Sequence, residues 1–251
     1  MEPVISLSAE PIVHLGSLPI TNTLIVSLVI SVSLIIFSVI FNFFIKPVPS
    51  GIQNIIESIF EGALDFIESV LQDRQLAYQF FPVVFTIFLF VILSNWIEIV
   101  PGLGSIGIWG EHHGETVLIP FIRSSSADMN VTLALAISAM LAVQIFGTVK
   151  LGFSEYAGKF LVNPFKQPYI IGTFVGLLEI VSEFAKIISF SFRLFGNIFA
   201  GEVLLLVVGF LVPYIIPLPF LFLEIFVGFI QALVFSMLTL VFIKSATTAH
   251  H

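Results

Sequence analysis

Most of this chain consists of apolar stretches long enough to cross a lipid bilayer as helices. A helix needs about 20 apolar residues to span the ~30 Å hydrocarbon layer. Stretches of this length or longer occur at 24–45, 80–100, 130–149, 169–212 and 220–243. Hydrophobic residues make up 58% of the 251 residues and charged residues only 10%, too little charge for the surface of a water-soluble domain. The sequence therefore predicts an all-α polytopic membrane protein with about five membrane-embedded helices.

The connecting segments are polar or amphipathic. Residues 52–74 repeat apolar side chains at helical spacing, and Glu57, Glu61, Asp65 and Glu68 occupy the opposite face. We interpret this segment as one amphipathic helix, which is either a solvated link between two spans or a docking face for another subunit. The remaining connections are at 1–23, 101–129 and 150–168. The N-terminal segment lacks a basic region and a small-residue cleavage site, so we expect it to belong to the mature protein.

The fourth apolar stretch is too long for an upright span. As a helix it would be roughly 66 Å long, about twice the hydrocarbon thickness. Either the helix breaks or it lies far from the membrane normal. A proline-rich corner at 213–219 separates it from the last stretch.

The basic residues predict the orientation of the chain, because lysine and arginine accumulate in cytoplasmic connections. With the amphipathic helix placed in the cytoplasm, six of the nine basic residues fall on the cytoplasmic side, namely Lys46, Arg74, Lys150, Lys159, Lys166 and Lys244. Arg123 falls outside, and Lys186 and Arg193 fall within the membrane. We therefore expect an external N-terminus and a cytoplasmic C-terminus.

Composition and motifs exclude several function classes. The net charge of -7 offers no basic surface for nucleic acid. The chain has no cysteine, which excludes disulfides, thiol catalysis and cysteine metal sites. It also lacks a GxxxxGK[ST] loop, so we expect no nucleotide-binding site. His112 and His113 are adjacent in a loop with glycines, which is typical of solvated side chains, and we predict neither a metal nor a cofactor.

The last two apolar stretches contain side chains that are costly in lipid. A charge at the bilayer centre costs at least ~2.5–3.5 kcal/mol, so such residues are functional candidates. They are Glu179, Glu183, Lys186, Arg193, Asn197 and Glu202 in the fourth stretch, and Glu224 and Gln231 in the last. At ~100° per residue, one stripe of the fourth helix carries four of them: Glu179, Lys186, Arg193 and Asn197. Glu202 lies far round from that stripe.

Several candidates also have structural explanations. Glu183 and Lys186 are three residues apart, which fits a mutually neutralising pair as well as a transport role. Glu179 fits an interfacial acid, and Asn197 and Gln231 fit interhelical hydrogen bonds.

Two further acids lie at the ends of spans. Glu98, beside Trp96, fits an interfacial position, and Asp128 in the run SADMN predicts a helix N-cap or first-turn acid.

Arg193 is the residue that a structural role explains least well. Its guanidinium cannot be deprotonated in a protein, and no acid lies three or four residues from it. Its partner must therefore come from another helix, from water or from another subunit.

The segment around Arg193 resembles the signature of subunit a of F-type ATP synthases. The matching runs are SFRLFGN at 191–197 and AGE at 200–202. SADMNVT at the start of the third span and GFIQALVFSMLTLVFIKSA in the last stretch are also similar. The resemblance covers most of the chain and is densest from about 179 to 245.

This resemblance implies a fold and a mechanism. The last two long helices would lie strongly tilted against a ring of c subunits, and Arg193 would face the essential carboxylate of each passing c subunit. The chain would act as a stator with two offset half-channels for protons and would couple proton flow to rotation and ATP synthesis. Implied partners are the c ring, the peripheral-stalk b subunits, the lipid bilayer and, indirectly, the F1 sector. We expect the location to be a bacterial plasma membrane, with organelle membranes as alternatives.

The resemblance also assigns roles by position. Asn197, Glu202, Glu224 and Gln231 match residues of the outer access channel or of the surroundings of the arginine, and Gln231 would face Arg193 from the neighbouring helix. Some members carry histidine at the position of Glu224. Glu179 matches an acid on the inner route, and Asp128 is assigned to the outer entrance. Glu183 has no assigned role, and we expect H⁺ rather than Na⁺ as the coupling ion.

Two other functions compete with this one. A secondary transporter such as a cation/proton antiporter would often show inverted repeats, but the sequence shows no internal repeat and has few spans. A purely structural membrane subunit would not need clustered charges within its spans.

Overall fold

Helices dominate the computed structural model, which describes residues 9–15, 18–100, 106–112, 115–160, 169–212 and 215–248. The helices are α1 (Asn22–Phe44), α2 (Ile52–Leu71), α3 (Arg74–Trp96), α4 (Met129–Leu151), α5 (Phe153–Phe160), α6 (Tyr169–Leu211) and α7 (Pro217–Thr247). Five of them, α1, α3, α4, α6 and α7, are long and apolar enough to cross a membrane. The prediction of an all-α polytopic membrane protein is confirmed.

Within the described parts of the connections lie two antiparallel hairpins and two 3-10 turns. The strands are β1 (Pro11–Leu15), β2 (Leu18–Thr21), β3 (Gly107–His112) and β4 (Glu115–Pro120). The turns are Ile97–Ile99 after α3 and Ser125–Ala127 before α4. The composition of these connections predicts loops and polar links, and it does not predict the hairpins or α5. Residues 101–105 and 161–168, and with them Lys166, lie outside the described residues, as do His113 and Pro213.

Short polar side chains fix where several helices begin. Thr21 caps α1 by accepting a hydrogen bond from the Leu24 N–H, and Asp73 caps α3 in the same way. The Asp128 side chain accepts from the Asn130 N–H and caps α4, so the predicted N-cap is confirmed. Each cap satisfies backbone donors that a helix start would otherwise leave unpaired.

The buried core lies between α3, α4, α6 and α7. One cluster includes Phe80, Met140 and Leu240, and joins the second half of α2 to the bundle. A second cluster includes Val91, Leu194 and Phe235. Helix α1 contributes little to this core, because most of its apolar side chains are exposed. Such exposure is expected where lipid rather than water is the solvent.

Candidate functional site

Arg123 and Glu202 form a buried ion pair between the segment before α4 and the second half of α6. The Arg123 Nε lies 2.9 Å from the Glu202 Oε1, and a terminal guanidinium nitrogen donates to Oε2 at 3.0 Å. The two side chains are 7% and 20% exposed. From the sequence, Arg123 is only an external charge, whereas the fold buries it as the counter-ion of a candidate site residue.

Glu98 and Glu224 lie close enough to Glu202 to interact with it electrostatically. We call Glu98, Arg123, Glu202 and Glu224 the Glu202 cluster. Glu98 Oε2 accepts a hydrogen bond from the Ser124 N–H at 3.1 Å, so this acid is tied to the residue next to Arg123. Three carboxyl groups and one guanidinium therefore converge from four separate parts of the chain.

Glu224 is buried on α7 against a glycine of α6. A Cβ at Gly201 would lie 2.9 Å from the Glu224 Oε1, so a larger residue at this position would displace the Glu224 carboxyl. Glu224 Oε2 is buried with no hydrogen-bond partner among the described residues, and so are Ser94 Oγ, Asn95 Oδ1 and Ser125 Oγ. Buried polar groups are normally paired with protein or water, which makes this region well suited to hold water.

The end of α3 is bound to α7 just beyond Glu224. The Asn95 Nδ2 donates to the Gly228 carbonyl at 2.9 Å, and the Trp96 Nε1 donates to the Ile225 carbonyl at 3.0 Å. These bonds hold the first half of α7 in place and thereby fix the position of the Glu224 carboxyl.

Asp128 joins α1 to α4. Its Oδ2 accepts a hydrogen bond from the Thr23 hydroxyl at 2.7 Å, and its Oδ1 accepts from the Asn130 N–H at 2.9 Å. Both carboxylate oxygens are thus engaged in holding helix ends together.

Arg193 lies exposed near the middle of α6. It lines an open pocket of about 280 Å³ between α6 and α7. Its guanidinium donates to the Ser189 Oγ at 3.3 Å and lies 5.9 Å from the centroid of the Phe190 ring. No carboxylate among the described residues forms an ion pair with it.

The amide residues expected near Arg193 make no side-chain hydrogen bonds to other described residues. Asn197 is exposed one turn along α6, and Gln231 is half-buried on α7. Between described residues there is therefore neither an interhelical hydrogen bond of either amide nor a bond from Gln231 to Arg193. The nearby link between α4 and α6 is instead a buried hydroxyl pair, Thr132 and Ser191, with 3.0 Å between the oxygens.

A second polar cluster occupies the first half of α6. Glu183 Oε1 accepts from the Lys186 Nζ at 2.7 Å, and Glu183 Oε2 accepts from the Gln144 Nε2 at 3.1 Å. The Tyr156 hydroxyl donates to the Gln144 Oε1 at 2.5 Å. We call these four residues the Glu183 cluster. The ion pair predicted from the spacing of Glu183 and Lys186 is confirmed.

The tyrosine of this cluster is buried near two acids. Burial raises the pKa of Tyr156 to about 12, and the charges of Glu183 and Glu179 add to the effect. Glu179 is half-buried one turn before Glu183 and is therefore part of the same electrostatic environment. The phenol stays neutral and keeps its proton for the hydrogen bond to Gln144.

Arg193 lies between the two clusters along α6. It is nine residues before Glu202 and ten residues after Glu183, which corresponds to roughly 14 and 15 Å along a helix. The described residues contain no group of three or more His, Asp or Glu side chains that could hold a metal ion. Along the described part of α6, Arg193 thus lies between the Glu202 cluster and the Glu183 cluster, and it has no ion-pair partner there.

Residues 23–244 match the protein family described as the ATP synthase A chain. A protein of Campylobacter jejuni named ATP synthase subunit a is 34% identical over 200 residues, which cover 80% of this chain and 78% of the relative. One of Moorella thermoacetica with the same name is 28% identical over 239 residues, covering 95% of this chain and 96% of the relative. Since the match extends over nearly the whole helical bundle, including both polar clusters, this chain belongs to the ATP synthase A chain family.

Proposed function

We propose that this chain is the proton-translocating stator subunit of the F0 sector of an F-type ATP synthase. It would provide two offset half-channels to and from the carboxylates of a rotating c ring and so couple proton flow to ATP synthesis. The observation that carries this proposal is Arg193, an exposed cation within a membrane span that has no ion-pair partner among the described residues.

The chemistry of a carboxyl group in lipid supports a role for an unpaired arginine. A neutral carboxyl can pass through lipid, but an ionised one is strongly disfavoured there. A fixed cation favours the ionised form, so each ring carboxyl would release its proton as it reaches Arg193. The same charge repels protons, so Arg193 would also keep protons from passing directly between the two access routes.

The two polar clusters supply the groups that such routes need. The Glu202 cluster, with Asn197, Gln231 and Asp128, would form the outer route. Glu179 and the first half of α6 would form the inner route. The roughly 14–15 Å of helix between Arg193 and each cluster supports routes that are offset.

The proposed orientation places the N-terminus outside a bacterial plasma membrane and the C-terminus in the cytoplasm. The distribution of lysine and arginine supports it. The direct partners would be the c ring and the peripheral-stalk b subunits, and the F1 sector would be reached through them. Nucleotide chemistry would occur in that sector rather than in this chain, and the coupling ion would be H⁺.

Arg193→Ala tests this function in membrane vesicles that carry the whole complex. We expect ATP synthesis driven by an imposed proton gradient to fall to background, because ring carboxyls would no longer be discharged. When the catalytic head is stripped off, passive proton leak should persist or rise, because no cation would separate the two routes.

Lys150→Ala is the matched control, since it removes an exposed cation at the end of α4. It should leave synthesis and leak as in the wild type. Coupled synthesis at the normal rate in Arg193→Ala, with the complex assembled, would refute the proposed function.

A further inference from the structure

We propose that Glu183 is a positioning residue that neutralises Lys186, so that Arg193 is the one cation available to a ring carboxylate among the described residues of its pocket. This inference rests on the proposed function, because it concerns how the same pocket selects its anion.

Lys186 and Arg193 line the same open pocket between α6 and α7. They are seven residues apart, so they lie within about 20° of each other on one helix face and roughly 10 Å apart along it. An ammonium that was free at this position would be a second cation for a carboxylate entering the pocket. A carboxylate paired with Lys186 instead of Arg193 would stop two turns short of the arginine.

The position of Glu183 prevents Lys186 from competing with Arg193 for the entering carboxylate. Its Oε1 accepts from the Lys186 Nζ at 2.7 Å, and the ammonium also lies 4.9 Å from the centroid of the Phe242 ring. The two side chains are 13% and 25% exposed. In such a partly buried pair the charges attract strongly, and losing one partner leaves the other uncompensated.

Glu183 is itself held by residues from two other helices. Its Oε2 accepts from the Gln144 Nε2 on α4, and Gln144 in turn accepts from the Tyr156 hydroxyl on α5. Tyr156 packs directly over Gly147, where any Cβ would overlap its ring. This packing aims the tyrosine at Gln144, and the amide orients the carboxylate towards Lys186.

The hydrogen bonds favour a fixed counter-ion over a proton carrier. Both Glu183 oxygens accept from donors, one of which is an ammonium, and charge-assisted bonds of this kind are stronger than neutral ones. With both oxygens occupied by these donors, Glu183 is held in place, and its effect would come through Lys186.

A pair of variants tests this role in vesicles that contain the whole complex, with ATP synthesis and ATP-driven proton pumping as readouts. Glu183→Gln keeps the shape of the side chain but frees the Lys186 charge, and we expect both rates to fall by about tenfold. Adding Lys186→Gln removes the competing cation, and the double variant should recover at least about half of the wild-type rates. Glu155→Gln, which removes an exposed acid of α5, should behave as the wild type.

Each outcome distinguishes an electrostatic role of Glu183 from a purely structural one. Wild-type rates in Glu183→Gln would overturn the proposal. A double variant that is as slow as Glu183→Gln, or that does not assemble, would show that Glu183 acts structurally and would also overturn it. Failure of Glu183→Gln to assemble together with an assembled, active double variant would support it.

Arg193→Ala, measured in the same vesicles, separates this inference from the function on which it rests. Coupled synthesis in Arg193→Ala refutes the proposed function. An inactive Arg193→Ala with an unaffected Glu183→Gln refutes only the role of Glu183.

Discussion

Arg123 and Arg193 differ in burial and in ion pairing. Arg123 is buried, and its guanidinium contacts both oxygens of Glu202. Arg193 is exposed, and its hydrogen bond within the described part of the chain is to the neutral Ser189. A paired guanidinium has little capacity left for a further anion, whereas Arg193 retains most of its donors. The chemistry proposed for this chain depends on that difference.

Local spacing was sufficient to predict some of these arrangements. The Asp128 cap and the Glu183–Lys186 pair each involve residues two or three positions apart. The pairing of Arg123 with Glu202 joins residues 79 positions apart, and no periodic pattern in the sequence links them. Arg193 could be identified from the sequence because an arginine within an apolar stretch is rare, whereas the partner of Arg123 could not.

Titration of Tyr156 should report whether the Glu183 cluster forms in solution. With its pKa raised from 10.0 to about 12, the folded state retains a proton that the unfolded state releases at lower pH. Its contribution to stability is therefore fully present below pH 10 and is lost as the pH rises towards 12. In near-ultraviolet titration of the detergent-solubilised protein, Tyr156→Phe should remove a phenolate component near pH 12.

Tyr78→Phe, at an exposed position of α3, is the control and should leave that component in place. If Tyr156→Phe instead removes a component near pH 10, the phenol is not buried beside the acids as described.

At the scale of elements, the start of α1 is fastened to the start of α4. The Thr23 hydroxyl donates to the buried Asp128 carboxylate, and the Asn22 side chain donates to the Pro120 carbonyl. Otherwise α1 has few buried residues, so these bonds carry much of its attachment to the bundle.

Thr23→Val should weaken this attachment by about 1.5–3 kcal/mol, because it removes a buried hydrogen bond to a charged acceptor. The denaturant midpoint of the protein in mixed micelles would measure the loss. Thr86→Val is a matched change on α3, where the exposed hydroxyl donates to the Pro82 carbonyl of its own helix, and it should shift the midpoint much less. Equal shifts in the two variants would contradict the role given to the Thr23–Asp128 bond.

The elements divide into those that the sequence predicts well and those that it does not. The apolar stretches correspond to α1, α3, α4, α6 and α7 because lipid imposes length and hydrophobicity on each span. The hairpin of β3 and β4 and the short helix α5 lie in mixed-polarity connections, where no such constraint acts. Their formation depends on contacts with the rest of the fold, such as that of Tyr156 with Gln144.

At the scale of the whole molecule, the orientation in the membrane can be tested directly because the chain has no native cysteine. Single cysteines at Glu10, before β1, and at Ser50, between α1 and α2, lie at opposite ends of the first span. We expect a membrane-impermeant maleimide to label Glu10→Cys in intact cells and Ser50→Cys in inverted vesicles. The reverse pattern would show that the chain is inserted the other way round.

The length of α6 has an electrical consequence. Its 43 residues give a contour of about 65 Å, so to stay within the ~30 Å hydrocarbon layer it has to incline roughly 60° from the membrane normal. Each residue then advances only about 0.75 Å in depth, and Glu183 and Glu202 differ in depth by roughly 14 Å. If water reaches both clusters, the transmembrane voltage falls across this shorter distance. A charge beside Arg193 would then experience about twice the electric field present in the surrounding lipid.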